Sequence, residues 1–302
     1  MVLLYSLNLT LLIKKYFTEA TLILVAVIWA LNFSVIKVTL TELDPFSFNA
    51  LRYVFAAILL VGVAKSRGFS ISVKKEHFWP ILGIGLVGNL VYQVLFIVGI
   101  NYTNAANAAV ILGTIPVWVA LLSHFFSDEK LTPYSSFGII AAFLGVVFII
   151  FGRSGALPNH SQTMLGDFII LLSAGAWASY TILSKKYLNI YHSVQYSGFM
   201  ALVGGVVLLI VGLPWLLKSH LFELSLTGMA GVMYSGLLSV GLAYLIWNRG
   251  ITKIGAVKTA AFQNLVPVLG LFFGVFILDE PLSHLQLLGC TITIIGIYFS
   301  RF

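Results

Sequence analysis

Residues 99–106 read Gly-Ile-Asn-Tyr-Thr-Asn-Ala-Ala, and residues 248–256 read Asn-Arg-Gly-Ile-Thr-Lys-Ile-Gly-Ala. Each opens an apolar stretch that runs through a proline to an Asp-Glu pair: Pro116 with Asp128 and Glu129, then Pro267 with Asp279 and Glu280. Gly99 and Gly250 are 151 residues apart, and the same shift carries Gly138 to Gly289 and Gly145 to Gly296. Nearer the front of each half the shift is 148, taking Trp29 to Trp177, Lys37 to Lys185 and Glu19 to Asp167. The chain is one unit written twice. If each copy of a doubled hydrophobic unit crosses a membrane an odd number of times, the copies are inverted, which is the architecture of alternating-access carriers.

A hydrophobic share of 60% against 9% charged residues takes this 302-residue chain out of the soluble class. Its mean hydropathy of +1.02 agrees. A net charge of +7 would suggest nucleic acid in a soluble protein. Here the basic residues cluster in short gaps between apolar runs, where they report orientation, and no nucleic-acid partner is expected. The single cysteine, Cys290, excludes an intramolecular disulfide and a cysteine metal cluster. The first 13 residues are apolar and precede Lys14 and Lys15, the reverse of a cleavable signal. That run is shorter than the roughly 20 residues a span needs, so residues 1–18 are expected to form an N-terminal extension, interfacial or dispensable.

Ten apolar segments follow, near 19–40, 45–65, 78–99, 104–126, 133–152, 166–186, 193–214, 226–249, 256–278 and 283–301. The expected fold is an all-α membrane protein of ten transmembrane helices, with one five-helix unit over 19–152 and a second, inverted, over 153–302. The connections are too short for a soluble domain. With the N-terminus in the cytoplasm, thirteen basic residues fall inside: Lys14, Lys15, Lys65, Arg67, Lys74, Lys75, Lys130, Lys185, Lys186, Arg249, Lys253, Lys258 and Arg301. Only Lys37, Arg52, Arg153 and Lys218 fall outside. This bias assigns both termini to the cytoplasm.

Helical spacing puts Trp29, Asn32 and Ile36 on one face of the first segment and Trp177, Tyr180 and Ser184 on one face of the sixth. Asn89, Tyr92, Gln93 and Phe96 crowd one side of the third, and Asn104, Asn107, Ile111 and Thr114 form a stripe on the fourth. The eighth carries Tyr244, Trp247 and Asn248, and the ninth Gln263 and Asn264. Polar side chains in hydrocarbon face protein or water, so each set either lines a cavity at the repeat interface or ties helices together. Trp29 and Trp177 lie about ten residues inside their segments, away from the headgroup belt, which favours the cavity. The expected substrate-binding residues are Trp29, Asn32, Tyr92, Gln93, Asn107, Trp177, Tyr180, Tyr244, Trp247 and Gln263. Aromatic walls with amides suit an uncharged or zwitterionic solute; a basic residue at depth is expected for a phosphorylated one.

The charged residues read mostly as structure. Glu19 and Asp167 begin their segments, where a carboxylate meets the positive helix end. Lys37 and Lys185 either snorkel to the headgroups or contact a gate or substrate. Arg52 is the deepest basic side chain, with Glu42, Asp44 or freed carbonyls as expected partners. The Asp-Glu pairs at 128 and 279 oppose the helix dipole, which suggests a repeated latch as readily as a solvated loop. His124 is a solvated histidine or a proton relay. Pro116 and Pro267 are expected mid-helix, bending their helices. Gly138, Ala142 and Gly145, matched by Gly289, Thr293 and Gly296, make small-residue faces suited to the scaffold or to a homodimer contact.

In order and spacing, Trp29 with Lys37, Pro45 with Arg52, the Gly99 to Ala106 run, Pro116 and Asp128-Glu129 form one series. Trp177 with Lys185, the Asn248 to Ala256 run, Pro267 and Asp279-Glu280-Pro281 form its counterpart. Together they resemble the drug/metabolite transporter superfamily, EamA type, from about residue 19 to the C-terminus. The resemblance implies a ten-helix carrier in which helices from both halves line a central cavity. The expected function is secondary transport of a small organic metabolite, such as an amino acid, outward across the bacterial inner membrane. The alternatives are an importer or exchanger of a nucleotide-derived or cofactor-type metabolite, and a lipid scramblase or non-transporting scaffold. An enzyme is not expected, because no acid and nucleophile pair or metal-ligand set lies inside a segment. Neither a cofactor nor a metal is expected, and without an ATP-binding motif the energy comes from a gradient or a partner.

Overall fold

A computed structural model describes residues 2–103, 108, 111–127, 132–152, 162–219, 221–278 and 283–300. Among the described residues every regular element is helical. This follows from the composition, since a backbone in hydrocarbon must satisfy its own polar groups. α1 (Val2–Thr39) is continuous across residue 19, the expected start of the first unit. Glu19 therefore lies well inside α1, buried, and not at a helix start as the dipole argument required. α2 (Pro45–Ser66) starts where Asp44 caps it: its Oδ1 accepts from the Phe46 amide at 2.8 Å and the Ser47 amide at 3.2 Å, and Pro45 fits the first turn. The third crossing is α3 (Lys75–Leu86), a π turn (Val87–Val91) and α4 (Tyr92–Tyr102).

α5 (Ile115–Phe126), α6 (Pro133–Phe151), α7 (Gln162–Leu188) and α8 (Ser193–Leu216) follow. The next crossing repeats the build of the third, with α9 (Leu226–Met233), a π stretch (Tyr234–Leu242) and α10 (Ala243–Ile254). Gly255, at φ 90°, ends α10 in a conformation that favours glycine. Beyond it lie α11 (Ala256–Ala261), a 3₁₀ turn (Phe262–Asn264), α12 (Leu265–Leu278) and α13 (His284–Ser300). Among the described residues six helices are long and apolar enough to cross a membrane: Tyr16–Ile36, Pro45–Ser66, Lys75–Ile100, Met164–Leu188, Ser193–Leu216 and Leu226–Ile254. Ile115–Phe126, Pro133–Ile149 and His284–Ser300 are shorter apolar helices. The chain is an integral membrane protein.

The two prolines differ from expectation. Pro116 lies in the first turn of α5 and Pro267 in the first turn of α12, just after the 3₁₀ turn. Each starts a helix where its missing N–H is no loss, in place of bending one. Asn104, Asn107, the Asp-Glu pairs at 128 and 279, Arg153 and the Lys37 side chain lie outside the described residues.

Helices pair antiparallel through small residues. Along α6 and α13, a methyl added at Gly138 would meet the Gly296 carbonyl oxygen at 2.6 Å, and one added at Gly289 would meet the Gly145 carbonyl oxygen at 2.6 Å. The two contacts are the same contact with the copies exchanged. These small-residue faces thus cover each other inside the chain. α2 and α8 pair likewise, with Gly205 against Ala57 and Gly212 against Ala50. Four contacts join a residue to its own counterpart. Trp29 meets Trp177, Gln93 meets Tyr244, Thr293 donates to the Ala142 carbonyl at 3.4 Å, and Gly205 lies against Ala57.

Helix ends also meet. Glu42, between α1 and α2, accepts from the Ser225 hydroxyl at 2.7 Å and the Ser225 amide at 2.9 Å, and Ser225 caps α9. Those bonds, the hydroxyl's first, hold the Glu42 carboxyl below the usual carboxylate range. Elsewhere the Tyr191 hydroxyl accepts from the Lys74 amide at 3.0 Å, and Gln195 donates to the Ser72 carbonyl at 2.8 Å.

Candidate functional site

Six aromatic rings from four helices meet inside the bundle. Trp29 of α1 lies 5.9 Å from Trp177 of α7, 5.1 Å from Trp247 and 6.4 Å from Tyr244 of α10, between ring centroids. Trp177 also lies 5.0 Å from Tyr92 of α4, 5.1 Å from Tyr180 and 5.0 Å from Tyr244. Edge-on, tilted and offset contacts of this kind are favourable for aromatic pairs. Trp177, Tyr180, Tyr244 and Trp247 are buried, whereas Trp29 and Tyr92 are half-buried. Local backbone makes room for the cluster: Gly88, in the π turn, lies directly against the Tyr180 ring. The second π stretch offers the Ser239 carbonyl to the Trp29 indole N–H at 3.0 Å.

A polar chain borders the rings. Arg52 of α2 donates through Nη2 to the Gln93 side-chain oxygen and through Nη1 to the Ser235 hydroxyl at 3.3 Å. Gln93 in turn donates to the Tyr244 hydroxyl at 2.9 Å and the Tyr53 hydroxyl at 3.1 Å. Tyr53 donates to Asn89 at 3.2 Å. On the other flank the Tyr180 hydroxyl donates to Asn248 at 3.1 Å, and Asn248 donates to Ser197 at 2.8 Å.

This corrects the expected environment of Arg52. Glu42 is engaged by Ser225 and Asp44 by the start of α2, so neither reaches Arg52, whose partners are neutral side chains deep in the bundle. Helix geometry explains the outcome, because residues 42 and 44 lie at one end of α2 while position 52 is two turns in.

Several buried polar atoms have no hydrogen-bond partner: Asn32 Oδ1, Ser47 Oγ, Asn49 Oδ1, Arg52 Nε, Trp177 Nε1, Gln263 Oε1 and both amide atoms of Asn264. Leaving such an atom unmet costs about 1–3 kcal/mol each; Trp177 belongs to the ring cluster, and Arg52 and Asn49 both bond to Gln93 beside it. Asn32 is one helical turn beyond Trp29, and the 3₁₀ turn carrying Gln263 and Asn264 packs on α1. Of the ten expected residues, Trp29, Tyr92, Gln93, Trp177, Tyr180, Tyr244 and Trp247 are joined by ring contacts and hydrogen bonds. Asn32 lies one turn from Trp29, Gln263 lies in the turn that packs on α1, and Asn107 lies outside the described residues. Tyr53, Asn49 and Ser235 were not expected. Tyr53 and Asn49 share the buried face of α2 with Arg52, a signal carried by their spacing from it. Among the described residues no group of His, Cys, Asp or Glu is arranged to hold a metal ion.

The chain is similar along most of its length to known transporters. An uncharacterised transporter of Archaeoglobus fulgidus is 30% identical over 94% of this chain and 96% of its own. The transporter YyaM of Bacillus subtilis, also uncharacterised, is 28% identical over 88% of this chain and 87% of its own. A probable amino-acid metabolite efflux pump of Escherichia coli is 27% identical over 93% of each chain. One solved crystal structure superposes with a TM-score of 0.75 at 18% identity, covering 93% of this chain and 96% of that one, and so shares the fold. The EamA-like transporter family matches residues 17–151 and 164–302, and the protein belongs to that family.

Proposed function

We propose that this membrane transporter is a secondary carrier of an amino acid or a similar amphipathic solute, moved outward by alternating access of two inverted five-helix units, 19–152 and 153–302. The observation that carries the reading is that Trp29 meets Trp177 and Gln93 meets Tyr244. A residue in contact with its own counterpart lies on the axis that exchanges the copies. The aromatic cluster and its amides are then at the repeat interface, where carriers of this architecture hold their solute. Antiparallel pairing of the equivalent helices α6 and α13, and of α2 and α8, supports inversion. Loop contacts agree: Glu42 with Ser225 and Ser72 with Gln195 each join ends that ten alternating crossings put on one side. Export and an amino-acid-like solute draw on the name of the Escherichia coli relative, and the bias of basic residues supports cytoplasmic termini in a bacterial inner membrane.

The rings offer flat apolar surfaces to a solute body, and the unmatched amides of Asn32, Gln263 and Asn264 offer hydrogen bonds to its polar end. Reconstituted vesicles loaded with radiolabelled leucine or phenylalanine test this. Trp177→Ala and Tyr244→Ala are each expected to abolish counterflow while the protein still reaches the bilayer. Unchanged flux in both would overturn the assignment of the cluster as the solute site.

A further inference from the structure

We propose that Arg52 is the anion anchor of the solute site, taking the carboxylate of a singly charged solute on its unpartnered Nε edge. This rests on the carrier reading above and names the chemistry of what is carried.

Arg52 is 3% exposed and lies two turns inside a membrane helix. A guanidinium stays charged in proteins and has five N–H donors to satisfy. Two are met by neutral acceptors, on Gln93 and Ser235, and Nε has no partner. Among the described residues the side chains that Arg52 meets are neutral, and none is a carboxylate. Buried charges in proteins are otherwise paired, and ionisable groups at membrane depth mark solute and ion paths. Nε and the neighbouring terminal nitrogen form the edge that receives a carboxylate with two parallel bonds.

The repeat sharpens this reading. Position 52 corresponds to Met200, and both pack on matched glycines: Arg52 on Gly236 through its backbone and Met200 on Gly85 through its sulfur. The fold therefore accepts an apolar side chain in this niche, and the charge belongs to one copy alone. Gln93, which holds Arg52, also holds Tyr244 of the aromatic cluster, so the guanidinium is one residue removed from the rings. One turn before Arg52, the Asn49 side-chain oxygen is a buried acceptor without a donor, suited to an ammonium beside a carboxylate. A single cation matches a single negative charge; a phosphate dianion needs a second.

The test uses the full-length protein and calorimetric titration, at a mildly acidic pH where every α-amine is protonated, of L-phenylalanine and L-leucine against their amides, in which a neutral group replaces the carboxylate. The unaltered protein is expected to bind each acid at least about 10-fold more tightly than its amide, the factor that a hydrogen bond to a charged group supplies. Arg52→Met should bring acid and amide within about twofold, while Arg52→Lys keeps the preference for the acid. Gln93→Glu supplies an internal carboxylate, so it should erase the preference; the Tyr53 and Tyr244 hydroxyls that accept from Gln93 can turn and donate to Glu, so thermal stability is expected to hold, which separates loss of the anchor from loss of the fold. Equal binding of acid and amide by the unaltered protein, no binding of either acid, or an unchanged ratio in both Arg52→Met and Gln93→Glu would overturn the proposal. So would tighter binding of phenyl phosphate than of the acids. If Arg52-dependent acid binding appears without counterflow in vesicles, the anchor stands and the carrier reading fails. Counterflow indifferent to the carboxylate is the opposite result.

Discussion

Asn248 and Asn264 are both fully buried and differ in one respect. Asn248 accepts from Tyr180 and donates to Ser197, so both ends of its amide are engaged in holding α7, α8 and α10 together. Neither amide atom of Asn264 has a partner. Asn248→Ala should therefore cost about 1–3 kcal/mol, because it orphans two buried hydroxyls, and it should show as a lower Tm in detergent. Asn264→Leu removes no bond, so its Tm should stay at or above that of the parent while solute binding falls. Equal Tm losses in the two would remove the distinction. Such roles are only partly legible in sequence. The stripe of Asn89, Tyr92 and Gln93 follows from helical spacing, and the structure puts Asn89 and Gln93 in the polar chain and Tyr92 among the rings. Arg52 does not yield to the same reasoning. Its partners lie 41 and 183 residues away, whereas the carboxylates at 42 and 44 are near in sequence and engaged elsewhere.

Among the elements, the π segments at Val87–Val91 and Tyr234–Leu242 each interrupt a long apolar helical span, Lys75–Ile100 and Leu226–Ile254. Each widens one turn beside the rings and leaves backbone carbonyls for side chains, as Ser239 does for Trp29. Apolar periodicity reads straight through a π turn, which is why neither was expected from the sequence. The 3₁₀ turn before Pro267 is hidden for the same reason: a mid-segment proline signals a break without saying whether the helix bends or restarts. The pairing of α6 with α13 is the more legible element, since the shift of 151 already aligns their glycines. Its strength is testable at two positions. Gly289→Ala puts a methyl 2.6 Å from the Gly145 carbonyl oxygen, and it should cost about 1–3 kcal/mol as overpacking. A methyl at Gly270 meets nothing within 4 Å, so Gly270→Ala should leave Tm unchanged or raise it. A Tm for Gly289→Ala equal to that of the parent would mean that the two helices are not held at this distance.

At the scale of the whole molecule, the proposed inversion makes a prediction about sidedness. Fluorescent-protein fusions after Ser70 and Phe302 should mature in the cytoplasm and give signal, while a fusion after Ser219 should stay dark and support alkaline phosphatase activity instead. Signal from the Ser219 fusion would put the α2 to α3 and α8 to α9 connections on one side and end the inverted reading. The contacts between counterpart residues have a consequence of another kind. A residue touching its own counterpart is what a two-fold homodimer does at its interface, and a homodimer must carry every side chain twice. A lone cation beside such an axis is closed to it, because the gene that encodes one guanidinium encodes its mirror as well. In a single chain, Arg52 stands opposite Met200 and the two halves differ in charge where they meet. Under the proposed inversion, covalent continuity would let a nearly symmetric carrier grip a head-to-tail polar molecule in one orientation.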